Sequence, residues 1–181
     1  MRNGEGTHVD NRDGADKQLL EGLLEAAKAE RYGHDFYLMA ARSTEDAKGK
    51  EVFEMLAAEE LDHMRFLLSQ HDSVLKTGRM DAELKLGPKA DLNGPSPIFS
   101  EDLKARIKNA NFEMTALSVG IQLERDAMAY YRKQSEATED EVARAFFAYL
   151  ATWESGHYHA LLKQQEELKE DYWSAAGFSP F

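Results

Sequence analysis

From about Asp16 to Arg42 the apolar residues Leu19, Leu20, Leu23, Leu24, Ala27, Phe36, Tyr37 and Ala41 return at intervals of three and four, the period of an amphipathic helix. Ser43, Thr44 and Asp46 interrupt the pattern with turn and helix-capping chemistry. A second helix is predicted over 47–75, carrying Val52, Leu56, His63, Leu67 and Leu68. Residues 76–100 contain Gly78, Gly87-Pro88 and Asn93-Gly94-Pro95-Ser96-Pro97, which break helix repeatedly and make a long connection. Ser100 is a candidate N-cap for a third helix over 101–135, and Thr138 with Glu141 reads as a capping box opening a fourth over 139–170. Residues 1–15 lack periodicity and read as a flexible tail. The closing 172–181 is aromatic, and Tyr172, Trp173, Phe178 and Phe181 are expected to pack on the bundle or on a partner chain.

A shift of 94 residues aligns Leu23–Asp72 with Leu117–Glu166 without a gap, and 15 of the 50 pairs are identical. Among them are Glu30 with Glu124, Tyr37 with Tyr131, the Thr-Glu-Asp turn at 44–46 with 138–140, Glu60 with Glu154, and His63 with His157. The halves are equivalent helical hairpins. A short turn within each and a long link between them predict an all-α, ferritin-like four-helix bundle: two antiparallel pairs with pseudo-twofold symmetry, joined by a long crossover, over residues 16–171.

With 181 residues, of which 43% are hydrophobic, the chain can bury one good core and is short for two domains. No run of about 18 apolar residues and no leader pattern occurs, so no membrane association and a soluble, cytoplasmic protein are expected. The absence of cysteine excludes disulfides and thiolate-ligated metal centres. A net charge of -11 argues against nucleic-acid binding, which needs clustered Lys and Arg.

Any metal must therefore be held by Glu, Asp or His, and the repeat points to such a set. Glu60 with His63 and Glu154 with His157 lie three apart, on one helix face, so each pair can present a carboxylate and an imidazole to one ion. Such a pair is weak evidence alone, as Glu5 and His8 in the tail show. Each of the two, however, has a Glu thirty residues upstream, Glu30 and Glu124. At about 1.5 Å per residue, the path from Glu30 to the turn and back to Glu60 covers about 22 Å each way, so the carboxylates meet at one level. One Glu from each of two helices plus Glu-x-x-His from each of the others is the known pattern of di-iron and di-manganese carboxylate bundles. Four buried carboxylates would repel one another if left ionised, and two divalent cations would balance them. Glu30, Glu60, His63, Glu124, Glu154 and His157 are thus the predicted ligands, with Glu60 and Glu154 the choice for bridging positions.

Tyr37 and Tyr131 each follow a paired Glu by two turns, on the same face, where a phenol can bond a carboxylate of the opposite pair or simply fill the core. His34 reads as a core or entrance residue, its repeat partner being Met128. His8, His71 and His159 lack symmetric counterparts and are expected to face solvent, while Met55, Met64, Met114 and Met128 are expected to pack.

At Glu30, Tyr37, Glu60-x-x-His63, Glu124, Tyr131 and Glu154-x-x-His157 the sequence resembles the rubrerythrin-like branch of the ferritin-like superfamily, over nearly all of residues 16–170. The resemblance implies a carboxylate-bridged di-iron centre that reduces hydrogen peroxide or dioxygen, usually in a homodimer or larger homo-oligomer. Two departures stand out. Rubrerythrins typically carry a further ligand Glu one turn after the third-helix Glu, where this chain has Ala127, and they usually append a four-cysteine rubredoxin-like site, which this chain lacks. Electrons would then come from a separate donor such as rubredoxin. The sequence equally admits a ferroxidase or iron-handling role, and a non-redox bundle; the ligand types suit iron, manganese and zinc alike.

Overall fold

A computed structural model describes residues 8–87, 89–92, 94, 97–105, 107 and 110–176. Four long helices dominate: α1 His8–Ser43, α2 Ala47–Thr77, α4 Asn111–Ala137 and α5 Glu141–Ala176, with a short α3 at Glu101–Ala105. No β-strand occurs among the described residues. α1 packs against α2 and α4 against α5, and α1 also meets α4, which makes the all-α, ferritin-like bundle of two hairpins.

Each hairpin turn is built by the same three residues. Asp46 caps α2 by accepting the Gly49 N–H at 2.7 Å, and the Thr44 hydroxyl accepts the Asp46 N–H at 3.2 Å. In the second hairpin Asp140 accepts the Ala143 N–H at 2.8 Å and the Thr138 hydroxyl accepts the Asp140 N–H at 3.3 Å. The cap of α5 is therefore Asp140, not Thr138, whose own N–H closes α4 on the Gln134 carbonyl. Asp140 directly precedes the helix and reaches the free N–H three residues on, while the Thr138 hydroxyl is taken by the Asp140 N–H.

Three element boundaries differ from the sequence expectation. α1 begins at His8, because nothing between Asp10 and Asp16 forbids continuation of the hydrogen-bond ladder and proline is absent there; residues 1–7 of the expected tail lie outside the described residues. The predicted third helix is split, since the chain turns between Ala105 and Asn111 to bury Leu103, Ile107 and Ala110, with the Ala110 N–H bonded to the Ile107 carbonyl at 3.0 Å. α5 runs to Ala176, beyond the expected end at 170, and Tyr172 and Trp173 stand exposed on it and do not pack on the bundle. Phe178 and Phe181 lie outside the described residues.

The core comprises two clusters that are images of each other. One contains Tyr37, Phe53, Leu56, Leu117 and Leu161, the other Tyr131, Phe147, Leu150, Leu23 and Leu67. Tyr37 stacks on Phe53 at 6.2 Å, and Tyr131 on Phe147 at 6.2 Å. Two buried glutamines fasten the crossover at its ends: Gln70 exchanges two hydrogen bonds with the Asp81 backbone at 2.8 and 2.9 Å, and Gln164 accepts the Ile98 and Phe99 N–H groups at 2.9 Å each. Gln70 and Gln164 are also partners in the repeat. Near Ser100, which caps α3 through Leu103, the Asp46 carboxylate accepts both the Ser100 N–H and its hydroxyl, tying the crossover to the first hairpin turn.

Gly49 sits under the Phe99 ring, and a Cβ there would overlap the ring carbons. Gly49→Ala is expected to lower the stability of the metal-free protein by about 1–3 kcal/mol, the usual cost of overpacking, measured by urea unfolding.

Candidate metal centre

Between the two apolar clusters lie Glu30 from α1, Glu60 and His63 from α2, Glu124 from α4, and Glu154 and His157 from α5, all buried. Glu154 and His157 have no exposed surface at all. The structure brings all six predicted residues together. His63 Nδ1 lies 3.0 Å from Glu154 Oε1 and 3.3 Å from Glu30 Oε2. His157 Nδ1 lies 3.2 Å from Glu154 Oε2, 3.6 Å from Glu124 Oε2 and 3.8 Å from Glu60 Oε1. The imidazoles stack nearly parallel, 6.4 Å apart.

These atoms fall into two groups, each able to surround a cation: Glu60, Glu124, Glu154 and His157, and Glu30, Glu60 and His63. Glu60 belongs to both, and Glu154 approaches both histidines. Glu60 Oε1, both oxygens of Glu154, His157 Nδ1 and His63 Nε2 are buried without a hydrogen-bond partner. Orphaned buried acceptors are costly unless something positive lies among them. Atoms that each sit about 2.0–2.2 Å from one ion are about 3–3.5 Å apart from one another, and the shorter imidazole–carboxylate separations of 3.0–3.3 Å fall in that range. The donor set of oxygens and imidazoles fits a divalent transition metal.

The charge state of the cluster follows from this crowding. Burial raises the Glu60 carboxyl well above its usual range, and the charges of Glu30, Glu154 and Glu124 push it further. Burial likewise raises Glu124, to about 7 despite the opposing pull of His157. For His63 burial works downward, but hydrogen bonds to Glu154 and Glu30 outweigh it and raise the imidazole to about 10. His157 is raised in the same way, against burial, by Glu124, Glu154 and Glu59. Glu154, which burial alone would raise, is held well below the usual carboxylate range by His157 and His63.

Around the ligands a second ring of donors is in place. Tyr37 donates to Glu124 and Tyr131 to Glu30, each reaching a carboxylate of the opposite hairpin. Burial and those carboxylates raise both phenols well above their ordinary value, so they stay protonated donors. Glu59, which sequence reasoning passed over, accepts from Trp153 Nε1–H at 2.8 Å and lies 2.7 Å from His157 Nε2. An acidic residue beside a repeated motif in a Glu-rich chain carries no distinguishing pattern, so only the fold reveals it. His34 is outside the cluster, its Nδ1 2.7 Å from the Ala57 carbonyl. His159 is exposed, whereas His71 is partly covered, 3.9 Å from Asp72, because it lies on the half-buried flank of α2; the His8 side chain lies outside the described residues. Met55, Met64, Met114 and Met128 pack in the core.

A cavity of about 260 Å³ opens between α1 and α4 and reaches Glu30, Glu60 and Glu124. Ala29, Gly33 and Ala127 form part of its wall and exposed Tyr32 stands at its mouth. A Cβ at Gly33 would lie 2.9 Å from Glu60 Oε2, so a larger residue there would have to displace that carboxylate.

Two antiparallel hairpins, a long crossover and an inward carboxylate–imidazole cluster define a ferritin-like helical bundle with a buried site suited to metal. A sequence profile described as Rubrerythrin matches residues 21–164, and the chain belongs to the rubrerythrin family. No curated protein and no solved structure matches it. No helix among the described residues is long and apolar enough to cross a membrane.

The protonation pattern sets a sign for stability against pH. His63, at about 10 in the fold against 6.5 when free, adds stability that is complete below pH 6.5 and is lost as pH rises towards 10. Glu124, at about 7 against 4.5, costs stability that sets in above pH 4.5 and is complete near pH 7. Both lower the stability of metal-free protein as pH rises. Its thermal midpoint should fall between about pH 5 and pH 10, and saturating divalent metal, which replaces those protons, should lift the midpoint more at high pH than at low, as differential scanning calorimetry would read.

Proposed function

We propose that this chain is a rubrerythrin-type oxidoreductase in which Glu30, Glu60, His63, Glu124, Glu154 and His157 hold two iron ions, and hydrogen peroxide or dioxygen is reduced with electrons from a separate redox protein. The bound irons would supply the two electrons for each peroxide. The observation that carries this reading is the cavity beside Ala127, which leads a small molecule to three of the six carboxylate and imidazole groups while the rest of the cluster is sealed in the core.

The chain's own residues divide the remaining work. Glu60, which belongs to both groups of ligand atoms, and Glu154, which approaches both histidines, would be shared between the ions, and Glu30, His63, Glu124 and His157 would each hold one. Tyr37 and Tyr131 hold Glu124 and Glu30 in orientation through their O–H groups. Both phenols also line the cavity, so they border the route to the carboxylates they hold. The small side chains of Ala29 and Ala127 leave the route open, and the apolar clusters on either side exclude bulk water. With no cysteine in the chain, the electron donor is a second protein, and cytoplasmic placement and a homodimer fit the family reading.

Anaerobic loading with ferrous iron followed by rapid mixing with peroxide tests this. Fast oxidation consuming close to one peroxide per pair of irons is expected; metal-replete protein that does not oxidise, or that consumes many irons per chain and retains them as mineral, would point to a non-redox or iron-handling protein. Ala127→Leu, which narrows the cavity, should slow the peroxide reaction and leave iron content at the wild-type level, as elemental analysis and stopped-flow absorption would show.

A further inference from the structure

The repeat that makes the two hairpins equivalent fails at one position beside the cluster. Glu59, which precedes Glu60, has Trp153, which precedes Glu154, as its repeat partner. Both residues do the geometrically equivalent thing: each lies against the histidine of the opposite hairpin. Glu59 Oε2 is 2.7 Å from His157 Nε2, and the Trp153 ring stands edge-on to His63, with centroids 5.1 Å apart at 89°. The consequences for the two imidazoles differ. The Glu59 carboxylate is held in place by two groups that can only donate, Trp153 Nε1–H at 2.8 Å and the Ala90 N–H. It is therefore an acceptor toward His157, which must carry its hydrogen on Nε2. That leaves Nδ1, which faces Glu154, Glu124 and Glu60, as the nitrogen that takes a metal. His63 has no such support: its Nε2 is buried without a hydrogen-bond partner.

We propose that the two halves of the centre bind divalent cations in a fixed order, the half at His157 and Glu124 first and the half at His63 and Glu30 second, and that Glu59 is the positioning residue that sets this order. This rests on the dimetal reading above. A carboxylate that holds the far nitrogen of a ligating histidine pre-orients the ring and makes the near nitrogen a better donor. Only one of the two histidines has that partner. The crossover reinforces the arrangement: Lys89 Nζ donates to the Trp153 carbonyl at 2.9 Å and lies 5.6 Å from the indole ring centre, so the segment carrying the Ala90 N–H is pinned over Trp153 and Glu59. His157 is thus tied through Glu59 to the crossover, whereas His63 meets only an aromatic edge.

The test is an anaerobic titration of metal-free, full-length protein with cobalt(II), read by calorimetry and visible absorption, with the ring nitrogens of His63 and His157 followed by long-range proton–nitrogen NMR. Two cobalt ions per chain should bind, the first at least about tenfold tighter, and the His157 signals should move in the first step and those of His63 in the second. Once the first cobalt is bound, His157 should keep its hydrogen on Nε2, toward Glu59. Glu59→Gln should weaken the first step by about 10- to 100-fold and the second by less than about threefold, and Trp153→Phe, which removes one donor to Glu59 and keeps an aromatic edge on His63, should weaken the first step by less than Glu59→Gln does. A purely structural role for Glu59 would shift the melting midpoint and leave the order of loading untouched. Two equal affinities, His63 moving first, or variants that weaken both steps in parallel would overturn the order while leaving the dimetal site standing. Folded protein that binds no cobalt would overturn the dimetal reading itself, and this inference with it.

Discussion

Everything in this bundle is arranged around the burial of four carboxylates and two imidazoles between two apolar clusters. Left ionised and unpaired, such a set would cost more than a domain of this size can sustain, because desolvation and mutual repulsion act together. The chain answers with an opposite charge inside the cluster. In the absence of metal that charge is protonic: His63 and His157 are raised, Glu60 and Glu124 are raised, and Glu154, pressed between both imidazoles, stays ionised. Divalent cations bound there would take the place of those protons, which would link metal binding to pH and to folding.

The same constraint explains the surroundings. Two apolar clusters, related by the 94-residue repeat, close the site above and below, and each contributes the tyrosine that donates across the bundle to a carboxylate of the other hairpin. Crossed donation of this kind couples the hairpins through the site itself, so the cluster is part of the packing and not an inclusion in it. The departures from symmetry then acquire meaning. Ala127, where the family usually places a further ligand, forms cavity wall, and Glu59 opposite Trp153 makes the two histidines chemically unequal.

Much of this was legible in the residues. The period of Leu19 to Ala41, the paired Thr-Glu-Asp turns and the repeated Glu and His positions define the hairpins, the fold and the six residues that converge, because helix periodicity and rise convert sequence spacing directly into faces and levels. What could not be read depends on contacts between segments far apart in sequence. The break before Asn111 exists because Ile107 and Ala110 find a buried place against the core, and the capping role passes from Thr138 to Asp140 through the local turn geometry. The exposed Trp173 stands on the part of α5 that runs beyond the expected end at 170. Glu59 looks like any surface glutamate until α5 lays His157 and Trp153 against it, and Gln70 and Gln164 look like ordinary polar helix residues until the crossover folds back onto them.

The central claim is that these six side chains hold two metal ions side by side between the hairpins. Anomalous diffraction at the iron edge from crystals of anaerobically iron-loaded protein tests it most directly. Two peaks about 3.5–4 Å apart, both in contact with Glu60 and Glu154 and flanked by His63 and His157, are the predicted result. A single peak, or peaks confined to the acidic surface with the buried cluster empty, would contradict it.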